Sequence, residues 1–413
     1  MPLTVEIVAA MALVLVLACR RPPLRPLTSG AGAAVGLIIM LTARTALHDS
    51  GLSGELPPWT LWGWTSVTGF AAAIAVMGWR RASGWWRHGA VFASSFCLLS
   101  TGLVVNAWIG YLPTVTIAWD QLTGAPLHPV LDLPAATAMR SRGAQPHDGQ
   151  LVPIDTGDRA SGFRHRTEWV YLPPAWFSGR DSAVSAVLMI GGEFSTTIDW
   201  ARAGAAITSA NEYAKAHDGY APILVFADAN GAFANDTECV NGTRGRAADH
   251  LTGDVLPTVA NLFRVSANPS RWAVAGFSSG GTCAVDLAAM HPELFSRFVD
   301  IAGDERPSAG NPTRTLQRLF AGDQRAQAAF DPATVIAKHG QYADTAGLFM
   351  APASANFDHQ VAQRLCSAAA LQGIRCSVQV LPGRHTWPFA AAAFETALPW
   401  LAASLGTRDP RPD

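Results

Sequence analysis

The sequence predicts an α/β domain, a mostly parallel sheet with helices on both faces, preceded by a transmembrane bundle of four helices. Three observations carry that expectation. Four apolar stretches, each close to the ~20 residues that cross a bilayer as a helix, precede residue 114. After them, short apolar strands alternate with longer helical stretches. One of those strands runs directly into Gly276-Phe277-Ser278-Ser279-Gly280 and then into an alanine-rich helical segment.

Composition agrees with two parts. Of 413 residues, 49% are hydrophobic and only 15% charged, and the apolar excess is concentrated before residue 113. A net charge of -1 argues against a nucleic-acid partner. Lys215 and Lys338 are the only lysines, an arginine bias expected of a GC-rich bacterial genome.

The four apolar stretches cover residues 3–19, 30–47, 59–79 and 89–112. The first does not read as a cleaved signal peptide, because it carries Glu6 and its arginines follow the apolar run. Arg20, Arg21 and Arg25 lie between the first two stretches, and Arg80, Arg81 and Arg87 between the last two. The intervening loop, residues 48–58, carries Asp49 and Glu55 and no lysine or arginine. By the positive-inside rule both arginine-bearing loops are cytoplasmic, which puts the chain beyond Pro113 outside. Tryptophans 59, 62, 64, 79, 85 and 86 sit near the expected membrane boundaries, as an aromatic belt does.

The cysteines point the same way. Cys19 and Cys97 fall in membrane stretches, whereas Cys239, Cys283, Cys366 and Cys376 fall in the part placed outside. An even set in an oxidising compartment implies disulfides. Sequence permits three pairings; the preferred one joins Cys366 to Cys376 and Cys239 to Cys283. No cysteine pair or histidine cluster has metal-ligand spacing, so neither a metal nor another cofactor is expected.

Residues 114–150 read as a linker, 151–405 as the catalytic domain and 406–413 as a tail. Within the domain, 151–156 and 167–173 form an opening antiparallel pair. Strands follow at 184–190, 223–227, 272–275, 298–302, 348–350 and 377–381. Helices are expected at 198–217, 252–265, 282–290, 361–371 and 389–405. Residues 306–345 form an insertion placed to make a lid or one side of a pocket.

Strand, tight turn and helix is the context of a nucleophile elbow, so Ser278 is the candidate nucleophile. A serine hydroxyl needs a base, and the base needs an orienting acid. His385, in the turn Pro382-Gly383-Arg384-His385 before the last helix, is the candidate base. Asp358 is the only acidic residue between Thr345 and Phe394, which makes it the candidate acid. Two backbone amides would hold the oxyanion: that of Ser279, and that of Glu193 or Phe194 in the loop opened by Gly191-Gly192. Asp236 and Glu238 follow the 223–227 strand toward the same sheet edge and are candidate substrate-binding carboxylates.

From about His165 to Leu405 the chain resembles the esterase D family of α/β-hydrolases, which includes the mycobacterial mycolyltransferases. The matching pieces are GFSSGG, MHPELF and PGRHTW, with Asp228-Ala229-Asn230-Gly231 and Asp236-Thr237-Glu238-Cys239 before the elbow. Membrane helices ahead of such a domain are similar to those of actinobacterial membrane esterases. The resemblance implies an α/β-hydrolase fold, a Ser-His-acid triad, no metal, and an ester or acyl-transfer reaction. Many relatives carry a His-Gly pair where this chain has Gly191-Gly192-Glu193.

The expectation is therefore a membrane-embedded serine esterase, its catalytic domain outside the cytoplasm, acting on an acyl or aminoacyl ester of an envelope lipid. An acyltransferase of the mycolyltransferase type is the catalytic alternative. A non-catalytic membrane binding module is the alternative of another class.

Overall fold

The computed structural model describes residues 2–18, 26–50, 57–81, 83–123, 130–179 and 184–407. Cys19, Arg20, Arg21, Arg25 and Glu55, together with the tail from residue 408, lie outside the described residues. The chain divides into two compact units, Met1–Tyr111 and Leu112–Asp413.

The first unit holds helices Pro2–Ala18, Pro26–Ser50, Trp59–Gly78 and Gly84–Ile109. Among the described residues three stretches are long and apolar enough to cross a membrane: Leu27–His48, Trp59–Gly78 and Gly84–Ile109. The first apolar helix, Thr4–Ala18, is shorter. Bulky Leu37, Ile38, Val76 and Leu98 point outward, whereas Ala9, Ala71, Ala93 and Cys97 are buried. Leu61, Ile74, Trp86, Val104 and Trp108 are buried with them, so small and large residues share the interior while other large apolar side chains face outward, as on helices in lipid. The second and third helices cross where a Cβ on Gly69 would lie 3.0 Å from the Cα of Gly36. Thr68 and Thr101 hydroxyls, 2.9 Å apart, link the third helix to the fourth.

The second unit is built on an eight-stranded sheet. Its chain order is β1 (Gln150–Ile154), β2 (Glu168–Leu172), β3 (Ala186–Ile190), β4 (Ile223–Phe226), a short hairpin β5–β6 (Asn241–Gly242, Gly245–Arg246), then β7 (Trp272–Phe277), β8 (Arg297–Ile301), β9 (Ala346–Pro352) and β10 (Arg375–Leu381). The spatial order is β1-β2-β4-β3-β7-β8-β9-β10. β1 and β2 are antiparallel additions, and the strands from β4 to β10 run parallel. β3, β4, β7, β8 and β9 are buried along their whole length; β3, β4 and β7 read as unbroken apolar runs, whereas β8 also buries Arg297 and Asp300. From β3 the chain steps one way to β4, then returns across β3 to β7 and continues the other way. The crevice at the carboxyl ends of β3 and β7 is thus the switch point where open α/β sheets bind ligands.

Local departures from the expected elements have physical causes. The helix expected at 198–217 is two, Asp199–Arg202 and Ala206–Ala216. They part where Gly204 packs against Trp200 and Ala205 takes φ +49°. The helix expected at 252–265 begins earlier, at Ala247, and passes through a widened π-type turn, His250–Val255, before Leu256–Phe263. Residues 306–345 hold helices Pro312–Phe320, Gln324–Ala328 and Pro332–His339, capped by the side chains of Asn311, Asp323 and Asp331. In the 114–150 stretch, helix Leu133–Ser141 is capped by Asp132 and buries Ala136 in the same core as Trp176 and Phe177.

Candidate active site

β7 ends at Phe277 and helix Ser279–Met290 begins two residues later, leaving Ser278 alone in the turn at φ 59°, ψ -126°. That backbone is strained for a residue with a Cβ and persists only where the surroundings impose it. Here they do: the Ser278 N–H donates to Ile301 O at 2.9 Å, and its carbonyl accepts from the Gly281 N–H at 2.7 Å. A Cβ on Gly276 would collide with the Gly280 carbonyl, and one on Gly280 with the Ile190 carbonyl. The glycines of the pentapeptide are therefore packing requirements of the elbow.

The structure brings the three candidate triad residues together. Ser278 Oγ lies 3.0 Å from His385 Nε2, and His385 Nδ1 lies 3.1 Å from Asp358 Oδ2. Asp358 is 5% exposed. It sits inside the first turn of helix Asn356–Leu371, not ahead of it, because that helix starts five residues before the expected Val361. Phe277 packs tilted against the imidazole, with ring centroids 5.0 Å apart, and Trp387 and Trp200 continue the aromatic wall behind it. His359, next to Asp358 in sequence, instead contacts Gln363. Asp344 pairs with Arg297 and Arg375, which open β8 and β10, at the opposite sheet edge.

The oxyanion candidates also converge. Ser279 is the first helical residue, so its N–H is one of the groups that a helix N-terminus leaves without an internal acceptor. Across from it, a Cβ on Gly192 would lie 3.0 Å from Ser278 Cβ. The Glu193 and Phe194 amides follow at once, with Phe194 turned to φ +57°.

Asp236 and Glu238 are not surface carboxylates: each is 5% exposed. Glu238 accepts from the Ser308 N–H at 3.0 Å, and Asp236 faces Arg244 at 3.4 Å. They belong to a larger acidic group with Glu193 and Asp304. Burial and the neighbouring Asp236 charge push Glu193 up to about 8, with Arg244 opposing and Asp304 adding to the rise. Burial raises Asp304 to about 6 against the opposing pull of His385. Asp236 and Glu238 are raised too, mainly by burial. Sequence reasoning missed Asp304, which follows β8, and chose Glu193 for its amide alone.

A second polar cluster was also missed. His165, Glu168 and His250 place ligand-type atoms within 4.8 Å of one another. Their arrangement is that of a hydrogen-bond network. Both nitrogens of buried His250 face carboxylates, Glu168 at 3.2 Å and Asp254 at 3.3 Å, and Glu168 also accepts from Thr156 Oγ1 and the Asp228 N–H. The His165 and His250 rings stack with centroids 4.5 Å apart, so their in-plane lone pairs do not meet at one point. Burial lowers the His250 pKa, but the bonds and charges of Glu168 and Asp254 outweigh it and raise it.

Two disulfides lock the site from behind. Cys239–Cys283 ties the loop after β4 to the nucleophile helix, and Cys366–Cys376 ties helix Asn356–Leu371 to β10.

A serine on an elbow, hydrogen-bonded to a histidine that is in turn held by a buried carboxylate, defines the chain as a hydrolase of the α/β-hydrolase fold. The family "Putative esterase" matches residues 163–401, and the chain belongs to that family. An uncharacterized protein of Corynebacterium glutamicum is 27% identical over 267 residues, 62% of this chain, which spans 63% of that relative's length. Among solved structures, an S-formylglutathione hydrolase from Agrobacterium tumefaciens superimposes with a TM-score of 0.52 at 16% identity, covering 63% of this chain and 97% of that one. FphF, a fluorophosphonate-binding serine hydrolase of Staphylococcus aureus, does so with a TM-score of 0.50 at 16% identity, covering 62% and 98%. These structural likenesses show the fold.

Proposed function

We propose that the chain is a membrane-tethered serine esterase that hydrolyses an acyl or aminoacyl ester of an envelope lipid, with its catalytic domain outside the cytoplasm. The observation that carries the reading is the Ser278–His385–Asp358 chain of hydrogen bonds on a strained elbow. Ser278 Oγ attacks the ester carbonyl while His385 Nε2 takes its proton, and Asp358 holds the imidazole in orientation. The Ser279 amide and one from the Glu193-Phe194 pair receive the oxyanion. His385 returns the proton to the leaving alcohol, and water, activated by the same base, releases the acyl group.

The apolar helices and two disulfides support the location. Arg80, in the turn between the last two spans, and Arg87, in the first turn of the fourth helix, support the orientation. Tethering raises the effective concentration of membrane-resident substrates and does nothing for soluble ones, which favours an amphiphilic ester. The carboxylates Glu193, Asp236, Glu238 and Asp304 favour one with a positive group: an ammonium among them would offset the burial that chiefly raises their pKa values by disfavouring their charged forms. An aminoacyl phospholipid meets both conditions.

The test compares the full chain, in detergent and in vesicles, on a short soluble ester and on acyl and aminoacyl lipid esters. Cleavage of the lipid esters with free acid or amino acid as product supports the reading. Activity confined to the soluble ester removes the lipid substrate, and transfer of the acyl group to an added alcohol in place of water replaces hydrolysis by acyl transfer. Unchanged aminoacyl-lipid activity in Asp236→Asn/Glu238→Gln removes the aminoacyl preference.

A further inference from the structure

The motif Asp228-Ala229-Asn230-Gly231 has no part in the triad, yet its aspartate is among the most enclosed charges in the domain, at 1% exposure. Asp228 follows β4 and is gripped by Arg166, two residues ahead of β2. The guanidinium donates through Nε at 2.9 Å and Nη2 at 2.5 Å, and the Arg166 backbone N–H donates at 2.7 Å. The other acceptor capacity of Asp228 closes its own turn, taking the N–H groups of Asn230 at 3.1 Å and Gly231 at 3.0 Å. Burial alone would raise the Asp228 pKa, and the Arg166 bonds and charge reverse that and lower it. Glu168 fixes the same corner by accepting the Asp228 N–H at 3.0 Å.

The grip extends across the switch point. Arg166 Nη1 donates to the carbonyl of Ser195 at 3.1 Å. Ser195 Oγ donates to the carbonyl of Gly192 at 2.6 Å, closing a turn whose inner residues are Glu193 and Phe194. Asn230 Nδ2 reaches the same Gly192 carbonyl at 3.4 Å. Both oxyanion candidates of this loop thus lie between two anchored carbonyls, with Phe194 held at φ +57° where an L-residue does not rest unaided. Gly192 packs against Ser278 itself.

We propose that Arg166, locked in a two-pronged pair by buried Asp228, is a positioning residue that sets the oxyanion loop through Ser195. It touches no substrate. Its role is to aim the second oxyanion amide, and the inference rests on Ser278 acting as nucleophile. A planar fork is needed, because one guanidinium must serve Asp228 twice and Ser195 once; a lysine cannot do this.

The experiment measures kcat and KM for a soluble chromogenic ester on Arg166→Ala, Arg166→Lys and Ser195→Ala full chains, with thermal unfolding in parallel and Ser278→Ala as control. Misplacing one oxyanion donor costs about 10²-fold or more in kcat. The expected result is a loss of that order in Arg166→Ala with KM changed less than about threefold, since the oxyanion forms only after binding. Added guanidinium should restore part of the Arg166→Ala kcat, and Arg166→Lys should stay near the alanine value. Ser195→Ala, which removes only the Oγ bond to Gly192, should lose kcat in the same sense, and it carries the test if Arg166→Ala does not fold. Folded Arg166 variants with wild-type kcat, or a loss of kcat in Arg166→Ala that Ser195→Ala lacks and guanidinium does not restore, overturn the inference. Undiminished activity in Ser278→Ala instead overturns the nucleophile assignment.

Discussion

His385 and Asp358 lie 27 residues apart in sequence, and Nδ1 of the one stands 3.1 Å from Oδ2 of the other. The contact joins the turn after β10 to the helix after β9, neighbouring parallel strands at the edge of the sheet. A carboxylate there fixes the imidazole tautomer and leaves Nε2 directed at Ser278. Ser278→Ala and His385→Ala should each lower turnover of a soluble ester by about 10⁴ to 10⁶. Asp358→Asn should cost less, about 10⁴, because the acid orients the base and does not take its proton. Steady-state kinetics on the three variants check this, and near-wild-type turnover in Asp358→Asn assigns the role to another carboxylate.

Cys239–Cys283 closes a separation of 44 residues and Cys366–Cys376 one of 10. Loop-closure entropy assigns about 4 kcal/mol to the first and about 3 kcal/mol to the second. Removing the first pair as Cys239→Ala/Cys283→Ala should lower the denaturant midpoint more than Cys366→Ala/Cys376→Ala does. It should also reduce activity first, since only that bridge reaches the nucleophile helix. Equal midpoints would show that native-state strain, and not loop length, governs these bridges.

Glu193 gives stability a defined pH dependence. Its carboxyl titrates near 4.5 when unfolded and at about 8 in the fold, because of burial and the charge of Asp236. Between those values the native state binds more protons than the unfolded chain, so stability falls as pH rises through that window. Glu193→Gln keeps the backbone amide and removes the titration. The variant should melt above wild type at about pH 9 and close to it near the unfolded pKa. Parallel melting curves across the whole range would contradict the buried-carboxyl account.

Much of this site was legible because its signals are local. Ser278 stands in a pentapeptide between a strand and a helix, His385 in a Pro-Gly turn before the last helix, and Asp358 in a stretch with no other acid. The preferred disulfide pairing followed from the same element order and matches the bridges found. What escaped is held by distance in sequence. Arg166 meets Asp228 across 62 residues and His250 meets Glu168 across 82, and nothing near either residue announces its partner. Asp304 gains its meaning only when β8 is placed beside β7. The break at Gly204 and Ala205 reflects the packing of Trp200, a tertiary constraint that overrode a continuous helical pattern.

The measurement that bears most directly on the central claim is intact-mass and peptide mapping of the full chain after reaction with a fluorophosphonate. The account predicts a single adduct on Ser278, lost in Ser278→Ala and slowed greatly in His385→Ala, with activity falling in step with labelling. An adduct that persists in Ser278→Ala, or maps to another residue while activity is abolished, would contradict it.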